Sequence, residues 1–261
     1  MIDKIAEKVK ELLASGQIAG FLALRDEGEG KLAPYLFSDP AELAGLNLGD
    51  GNAPGDARYP LIKVLSRLAA ARPHETFGVL VRGCDERALL RLINDDRVHP
   101  LNNRKVVTVG FSCPPELAEA CECVKPWPDA LVAGEKTPAY EAPSADEDLD
   151  PLTELNDWFE SADRCVKCFG CRDVCPVCSC YECTIENESY VPQRELPASR
   201  TFLMTRAMHM VDRCVYCGLC EQACPANIPL KSLYRLVTKA TGREGLLPRA
   251  PLQEDLAAKE G

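Results

Sequence analysis

The sequence predicts two dissimilar halves, an α/β domain with a parallel-type sheet followed by a helical domain whose loops bind metal. Three observations point there. "TFGVLVRGC", "DERALLRLIND" and "KVVTVGFSC" read in order as an apolar strand, a helix and a β-branched strand, the unit from which parallel sheets are built. A run "CVKCFGCRDVCPVCSCYEC" begins at Cys165 and a second, "CVYCGLCEQACP", begins at Cys214, so most of the cysteines fall in CxxC spacing, which suits a shared metal better than disulfides. Between and after these runs, apolar residues recur at helical intervals.

Each element follows from local pattern. Ile2, Ile5, Val9, Leu12 and Leu13 stand at helical spacing and Gly16 takes the position of a C-terminal cap. "IAGFLAL" reads as a strand, "GLNLGDGNAPGD" as a turn-rich connection and "PLIKVLSRLAAA" as a helix. In the strand, helix, strand unit Asp85 is the expected N-cap, and ligands sit beyond the carboxyl ends of such strands, which brings "RGCDER" and "GFSCPP" together with Cys84 and Cys113 at one edge. In the second half, Leu203, Ala207 and Met210, and Met204, Met208 and Val211, follow helical spacing, and "PLKSLYRLVTKA" is a helix stopping at Gly242. The resulting organisation is an α/β domain over 1–140, an acidic, proline-containing linker over 141–160, a helical domain over 161–245 and a poorly ordered tail over 246–261.

Composition narrows the function. The chain has 261 residues, 46% of them hydrophobic, and 30 basic against 40 acidic side chains give a net charge of −10, which disfavours nucleic acid and anionic lipid. No stretch approaches the roughly 20 apolar residues of a membrane span. "MIDKIAEKVKELLASG" has no unbroken apolar core of the secretory type, and the fifteen cysteines are an odd number in metal-like spacing, so the expected setting is reducing and cytoplasmic.

Cys165, Cys168, Cys171 and Cys175 with Pro176 spell CxxCxxCxxxCP, and Cys214, Cys217, Cys220 and Cys224 with Pro225 spell it again. This is the iron–sulfur run of two-cluster ferredoxins, in which three thiolates of one loop hold three corners of a cubane while the fourth reaches the other cluster. The expected ligand sets are therefore Cys165, Cys168, Cys171 and Cys224 for one [4Fe-4S] cluster, and Cys214, Cys217, Cys220 and Cys175 for the other. Zinc prefers two separated pairs of ligands and does not call for three plus one ending in proline.

The long helical spacer and the ending "CGLCEQACPANIPLKSLYRLV" resemble the α-helical ferredoxin domains of heterodisulfide reductase C-type subunits and succinate dehydrogenase iron–sulfur subunits, over about residues 161–245. "FGVLVRGCDERALLRL" and "KVVTVGFSCP" resemble the beta subunits of deazaflavin-coenzyme-reducing hydrogenases and formate dehydrogenases. The second resemblance implies an FAD site, with Arg82, Gly83, Cys84, Asp85 and Cys113 at the flavin or cluster edge. No GxGxxG fingerprint follows a strand, and "EGEGK" reads as a surface turn.

Seven cysteines remain: Cys84, Cys113, Cys121, Cys123, Cys178, Cys180 and Cys183. Cys178, Cys180 and Cys183 could hold three corners of a further cluster, or Cys84, Cys113, Cys121 and Cys123 could gather at the sheet edge; a third iron–sulfur cluster, zinc and buried free thiols all stay open. His74, His99 and His209 are isolated and read as surface or helix-flank residues, Met204, Met208 and Met210 as packing, and Arg164, Lys167, Arg172 and Arg213 as solvated charges beside the cysteines. The function expected is an electron-transfer subunit of a hydrogenase, formate dehydrogenase or heterodisulfide-reductase-like complex, without a catalytic residue of its own. The alternative is a flavin-containing oxidoreductase of a deazaflavin or nicotinamide that takes electrons through the clusters.

Overall fold

The computed structural model describes residues 1–51, 53–94, 99–102, 104–140, 151–193 and 195–242. They divide into two compact units, one within Met1–Glu141 and the other within Ala142–Leu247. The expected tail over 246–261 lies outside the described residues.

The first unit opens with a helix over Ile2–Ala14 (α1), whose Ile5, Val9 and Leu12 form the buried stripe that the sequence spacing predicts. Strand β1 (Gly20–Asp26) is buried along most of its length and turns back at "EGEG" into β2 (Leu32–Phe37), where Glu27 and Lys31 close the hairpin through backbone bonds. A short strand, β3 (Leu46–Asn47), pairs with β1 and is followed by α2 (Leu61–Ala71). Then come β4 (Phe77–Val81), α3 (Gly83–Ile93), β5 (Val106–Phe111), α4 (Pro115–Ala120) and β6 (Leu131–Ala133). The sheet runs β2-β1-β4-β5-β6, with β1, β4, β5 and β6 parallel and β2 and β3 antiparallel to β1.

The sheet is thus mixed and mostly parallel. The four parallel strands need crossovers, and α2 and α3 supply two of them, packing on β4. β4 is buried at every residue because a central parallel strand is covered on both faces, which explains its unbroken apolar run. β2, β3, α4 and β6 carry no strong periodic signal: β2 contains Pro34, which is tolerated because β2 lies at the sheet edge, and β3 and β6 are only two and three residues long.

Two local expectations are corrected here. Asp85 is not the N-cap of α3: Arg82 takes that position, and the Asp85 carboxylate accepts the Arg82 backbone N–H at 3.0 Å from the third helical position. His99 is not on the surface. Leu101 N–H donates to its Nδ1 at 3.2 Å, which leaves the proton on Nε2 for Ser66 Oγ, also at 3.2 Å, and this neutral tautomer suits a buried ring.

The second unit is helical, with α5 (Pro151–Ala162), α6 (Gly170–Asp173), α7 (Arg200–Met208), α8 (Leu219–Gln222) and α9 (Leu230–Ala240). Residues 151–160, expected to be linker, belong to α5. A proline at the first helical position is favourable, and beyond it Trp158 is buried and donates its indole N–H to Pro229 O at 3.0 Å. The acidic, proline-rich composition concealed this anchor; residues 141–150 lie outside the described residues. α5 packs on α7 and α9 around Phe202, Leu203, Ala207, Leu233, Tyr234 and Val237.

Gly83 ties α3 to the loop after α4. A Cβ there would stand 2.2 Å from Lys125 O and 2.7 Å from Trp127 O, backbone atoms that cannot swing aside. Gly→Ala in a helix ordinarily stabilises by about 1 kcal/mol, but Gly83→Ala is expected to reverse the sign and destabilise the first unit by about 1–3 kcal/mol, as read by denaturant unfolding.

Candidate metal centres

The two cysteine runs adopt the same backbone path. Lys167 (φ 54°) and Phe169 (φ 60°) in the first run match Tyr216 (φ 52°) and Gly218 (φ 77°) in the second. Alternating left-handed residues point successive N–H groups inward, the geometry of an anion-binding nest. The Tyr216 N–H donates to Cys214 Sγ at 3.4 Å, and the Lys167 backbone N–H faces Cys165 in the same way. Phe169 holds a conformation that glycine takes in the second copy, and its ring packs edge-to-face with Phe202 at 5.3 Å and lies 4.7 Å from the Arg172 guanidinium. After the fourth cysteines the match continues: Cys178 N–H donates to Cys175 O at 3.2 Å, and Asn227 N–H to Cys224 O at 3.1 Å.

These loops surround two chambers. One, of about 350 Å³, is lined by Cys165, Cys168, Cys171 and Cys224 together with Phe169, Phe202 and Ile228. The other, of about 330 Å³, is lined by Cys175, Cys214, Cys217 and Cys220 together with Arg206, Met210 and Tyr234. Each chamber thus takes three thiols from one run and the fourth from the other.

Two residues that line the second chamber carry buried polar atoms, Arg206 Nε and Tyr234 Oη. Arg206 Nε and Tyr234 Oη have no hydrogen-bond partner among the described residues, although the rest of the Arg206 fork donates to Cys178 Sγ at 3.5 Å and to Cys171 O at 3.2 Å. Leaving a buried donor unpaired costs about 1–3 kcal/mol, so an inorganic sulfide in this chamber fits what the residues need. Burial raises the thiols of Cys171, to about 11, and of Cys214 and Cys220 further, so these sulfurs keep their protons until a cation replaces them. Arg206 and Tyr234 were not legible as site residues in the sequence; the one available signal is a guanidinium beside the apolar Leu203, Ala207 and Met210 stripe. Of the charges read as solvated, Lys167 is buried and donates to Pro192 O, while Arg172 pairs with Asp173 and Glu186 at the surface.

Residues 160–228 match the 4Fe-4S dicluster domain family. The chain is also 38% identical over 96 residues to the F420-dependent formate dehydrogenase subunit beta of Methanocaldococcus jannaschii, covering 36% of this chain and 25% of that protein. It is 38% identical over 91 residues to the F420-dependent formate dehydrogenase 1 subunit beta of Methanococcus maripaludis, covering 34% and 23%. The chain spans about a quarter of the length of these relatives. The dicluster domain implies two [4Fe-4S] clusters in the second half of the chain, and about a third of the chain is related to those beta subunits. No helix among the described residues is long and apolar enough to cross a membrane.

The surplus cysteines separate into two groups. Cys178 lies against Arg206, Cys180 is exposed, and Cys183 heads the turn that Arg172 contacts, so the "CSCYEC" trio faces three different surroundings. In the first unit, Cys84 follows β4 and Cys113 follows β5, neighbouring parallel strands in register at Val81 and Gly110. Arg82 is pinned between them, donating to Cys113 Sγ at 3.6 Å, Leu48 O at 2.9 Å and Asp50 at 2.8 Å, with its guanidinium 4.4 Å from the centre of the Phe111 ring. Burial opposes its charge, but Cys113 and Asp50 outweigh this and hold Arg82 above its ordinary value. Of the edge expected to receive a flavin, Arg82, Gly83, Cys84 and Cys113 are buried, and Asp85 is engaged with the α3 N-terminus.

Glu221 holds the α9 N-terminus against α8. Its carboxylate accepts the Lys231 backbone N–H at 2.7 Å and lies 3.5 Å from Lys231 Nζ, on a side chain that is 9% exposed. Glu221→Ala is expected to destabilise the second unit by about 2–3 kcal/mol, measured by thermal unfolding, and Glu221→Gln by less.

Proposed function

We propose that the chain relays electrons through two cross-ligated cubanes, one held by Cys165, Cys168, Cys171 and Cys224 and the other by Cys175, Cys214, Cys217 and Cys220, as a subunit of a formate dehydrogenase- or hydrogenase-like redox assembly. The carrying observation is the pair of chambers, each lined by three thiols of one run and one of the other. Four thiolates leave a cubane no open position, so its chemistry is one-electron uptake and release. The protein's part is to hold the sulfurs, to aim backbone N–H groups at them, to place the Arg206 charge beside the second site, and to exclude water with Phe202, Leu203, Met210 and Val215.

The two sites differ in exposure. Each has two buried cysteines, Cys165 and Cys171 in the first and Cys175 and Cys220 in the second, but Cys168 of the first is exposed beside Val166, itself 55% exposed, whereas Cys214 and Cys217 of the second are half-buried. The first site is therefore the port through which electrons pass to or from another molecule. The relatives named above are beta subunits of F420-dependent formate dehydrogenases, and that likeness supports placing this chain in a comparable assembly.

Cross-ligation is tested by electron paramagnetic resonance on anaerobically prepared variants. Cys224→Ser should alter the same cluster signal as Cys168→Ser, and Cys175→Ser the same signal as Cys217→Ser. If Cys224→Ser instead altered the Cys217 signal, the ligand sets would be wrong. Arg206→Met, with iron content retained, should lower the potential of the second site. Losing a charge-assisted hydrogen bond of about 1.5 kcal/mol moves a one-electron potential by on the order of 60 mV, read by redox titration.

A further inference from the structure

We propose that the Tyr234 hydroxyl donates to a sulfur of the second cluster and, with the Arg206 charge beside it, makes that cluster the place where an electron shared between the two sites comes to rest. This rests on the two-cluster relay proposed above and gives it a direction.

The two chambers differ in what lines them. Among the described residues around the first, none but the cysteines carries a polar side chain; the others include Val166, Phe202, Leu203 and Ile228. The second is lined by Arg206, Tyr216, Lys231 and Tyr234 as well as by Val177, Met210 and Val215. Lys231 lies 3.5 Å from Glu221, so those two charges largely cancel, and Tyr216 gives its hydroxyl to Thr238 Oγ1 at 3.4 Å. Arg206 and Tyr234 are the pair left with sealed polar atoms that no group among the described residues matches.

Tyr234 is held in place. It shares the buried face of α9 with Leu230, Leu233 and Val237 and is 1% exposed. The Trp158 indole on Pro229 O and the Glu221 carboxylate on the Lys231 N–H, at 3.0 and 2.7 Å, pin the first turn of that helix. Its phenol interacts electrostatically with Cys175 and Cys220 of the second site and with Cys171 of the first. Arg206, on α7, acts on Cys175 and Cys171 in the same way, and its bonded nitrogens meet a thiol and a carbonyl, neither of them a carboxylate. A hydroxyl and a guanidinium nitrogen sealed like this are unfavourable unless something accepts from them. A cluster with four thiolate ligands is anionic and presents sulfur on every side, whereas packing alone would be served by phenylalanine.

The sign follows from charge. Reduction adds one negative charge to a cluster, and both a hydrogen bond to sulfur and a nearby cation stabilise it, so both raise the potential. Water at the exposed Cys168 works the other way by easing reduction of the first cluster, but at one corner, against a whole guanidinium charge and a hydroxyl sealed at the second chamber. In the transfer the first cluster loses one electron and the second gains it, while the phenol keeps its proton.

The experiment uses the full chain, purified without oxygen and reduced by less than one electron per chain, with the resonance signals assigned through Cys168→Ser and Cys217→Ser. The electron should be found in the second-site signal. Tyr234→Phe should retain iron and sulfide and shift the ratio of second-site to first-site spins about fivefold toward the first, the size of one ordinary hydrogen bond. In deuterium oxide the second-site signal should carry a strongly coupled deuteron that Tyr234→Phe lacks. If Tyr234→Phe does not retain its iron, the wild-type ratio decides alone. A wild-type electron resting on the first site would overturn the proposal and leave the relay standing, as would a Tyr234→Phe chain with unchanged ratio and deuteron coupling. A chain with no cubane signal at either site would overturn the relay and this proposal together.

Discussion

Keeping several sulfur ligands away from water, in a space that must also hold negative charge, is the constraint on which this protein is built. A low-dielectric interior penalises thiolates steeply, and burial raises the thiols of Cys84, Cys214 and Cys220. Two means of offsetting it recur. One is backbone: the alternating left-handed residues of each run turn N–H groups toward the sulfurs. The other is arginine, buried as Arg206 beside the second chamber; Arg82 and Arg87 are likewise buried against Cys113 and Cys123 in the first unit. Guanidinium suits this task because it stays charged at any working pH and offers several donors in a fixed plane.

The same constraint explains features that would otherwise look wasteful. Phe169 stands in a conformation glycine prefers, yet exchanging it for glycine would strip the first chamber of a wall that Phe202 and Arg172 pack against. Asp50 sits beside Arg82 although the thiols already face it; the carboxylate fixes one edge of the fork so that the other edge points at Cys113. Local strain and buried charge are kept where they orient groups toward sulfur, and the surrounding helices and sheet make them affordable.

The two units divide the physical work differently. In the second, short helices α6 and α8 are little more than carriers for cysteines, and their stability comes from α5, α7 and α9 packed around Trp158, Phe202 and Tyr234. In the first, a mostly parallel sheet does what such sheets do generally, collecting loops at the carboxyl ends of its strands. Arg58 comes from the turn-rich connection before α2, far in sequence from Cys121, and meets it only because that connection and the loop after α4 end at the same edge.

Much of this was written locally. The doubled CxxCxxCxxxCP spacing, the amphipathic stripe of α1 and the strand, helix, strand order from Phe77 to Phe111 are short-range patterns, and short-range patterns survive in a linear sequence because spacing alone defines them. The burial of His99, the helical state of residues 151–160, and the roles of Arg58, Arg87, Arg206 and Tyr234 had no such signature. An arginine that will meet a thiol across the fold looks the same in sequence as one that will meet solvent, and a helix rich in acid and proline looks like a linker until Trp158 finds Pro229. Those outcomes depend on long-range packing, which decides which polar atoms are sealed from water and therefore which partners they must find.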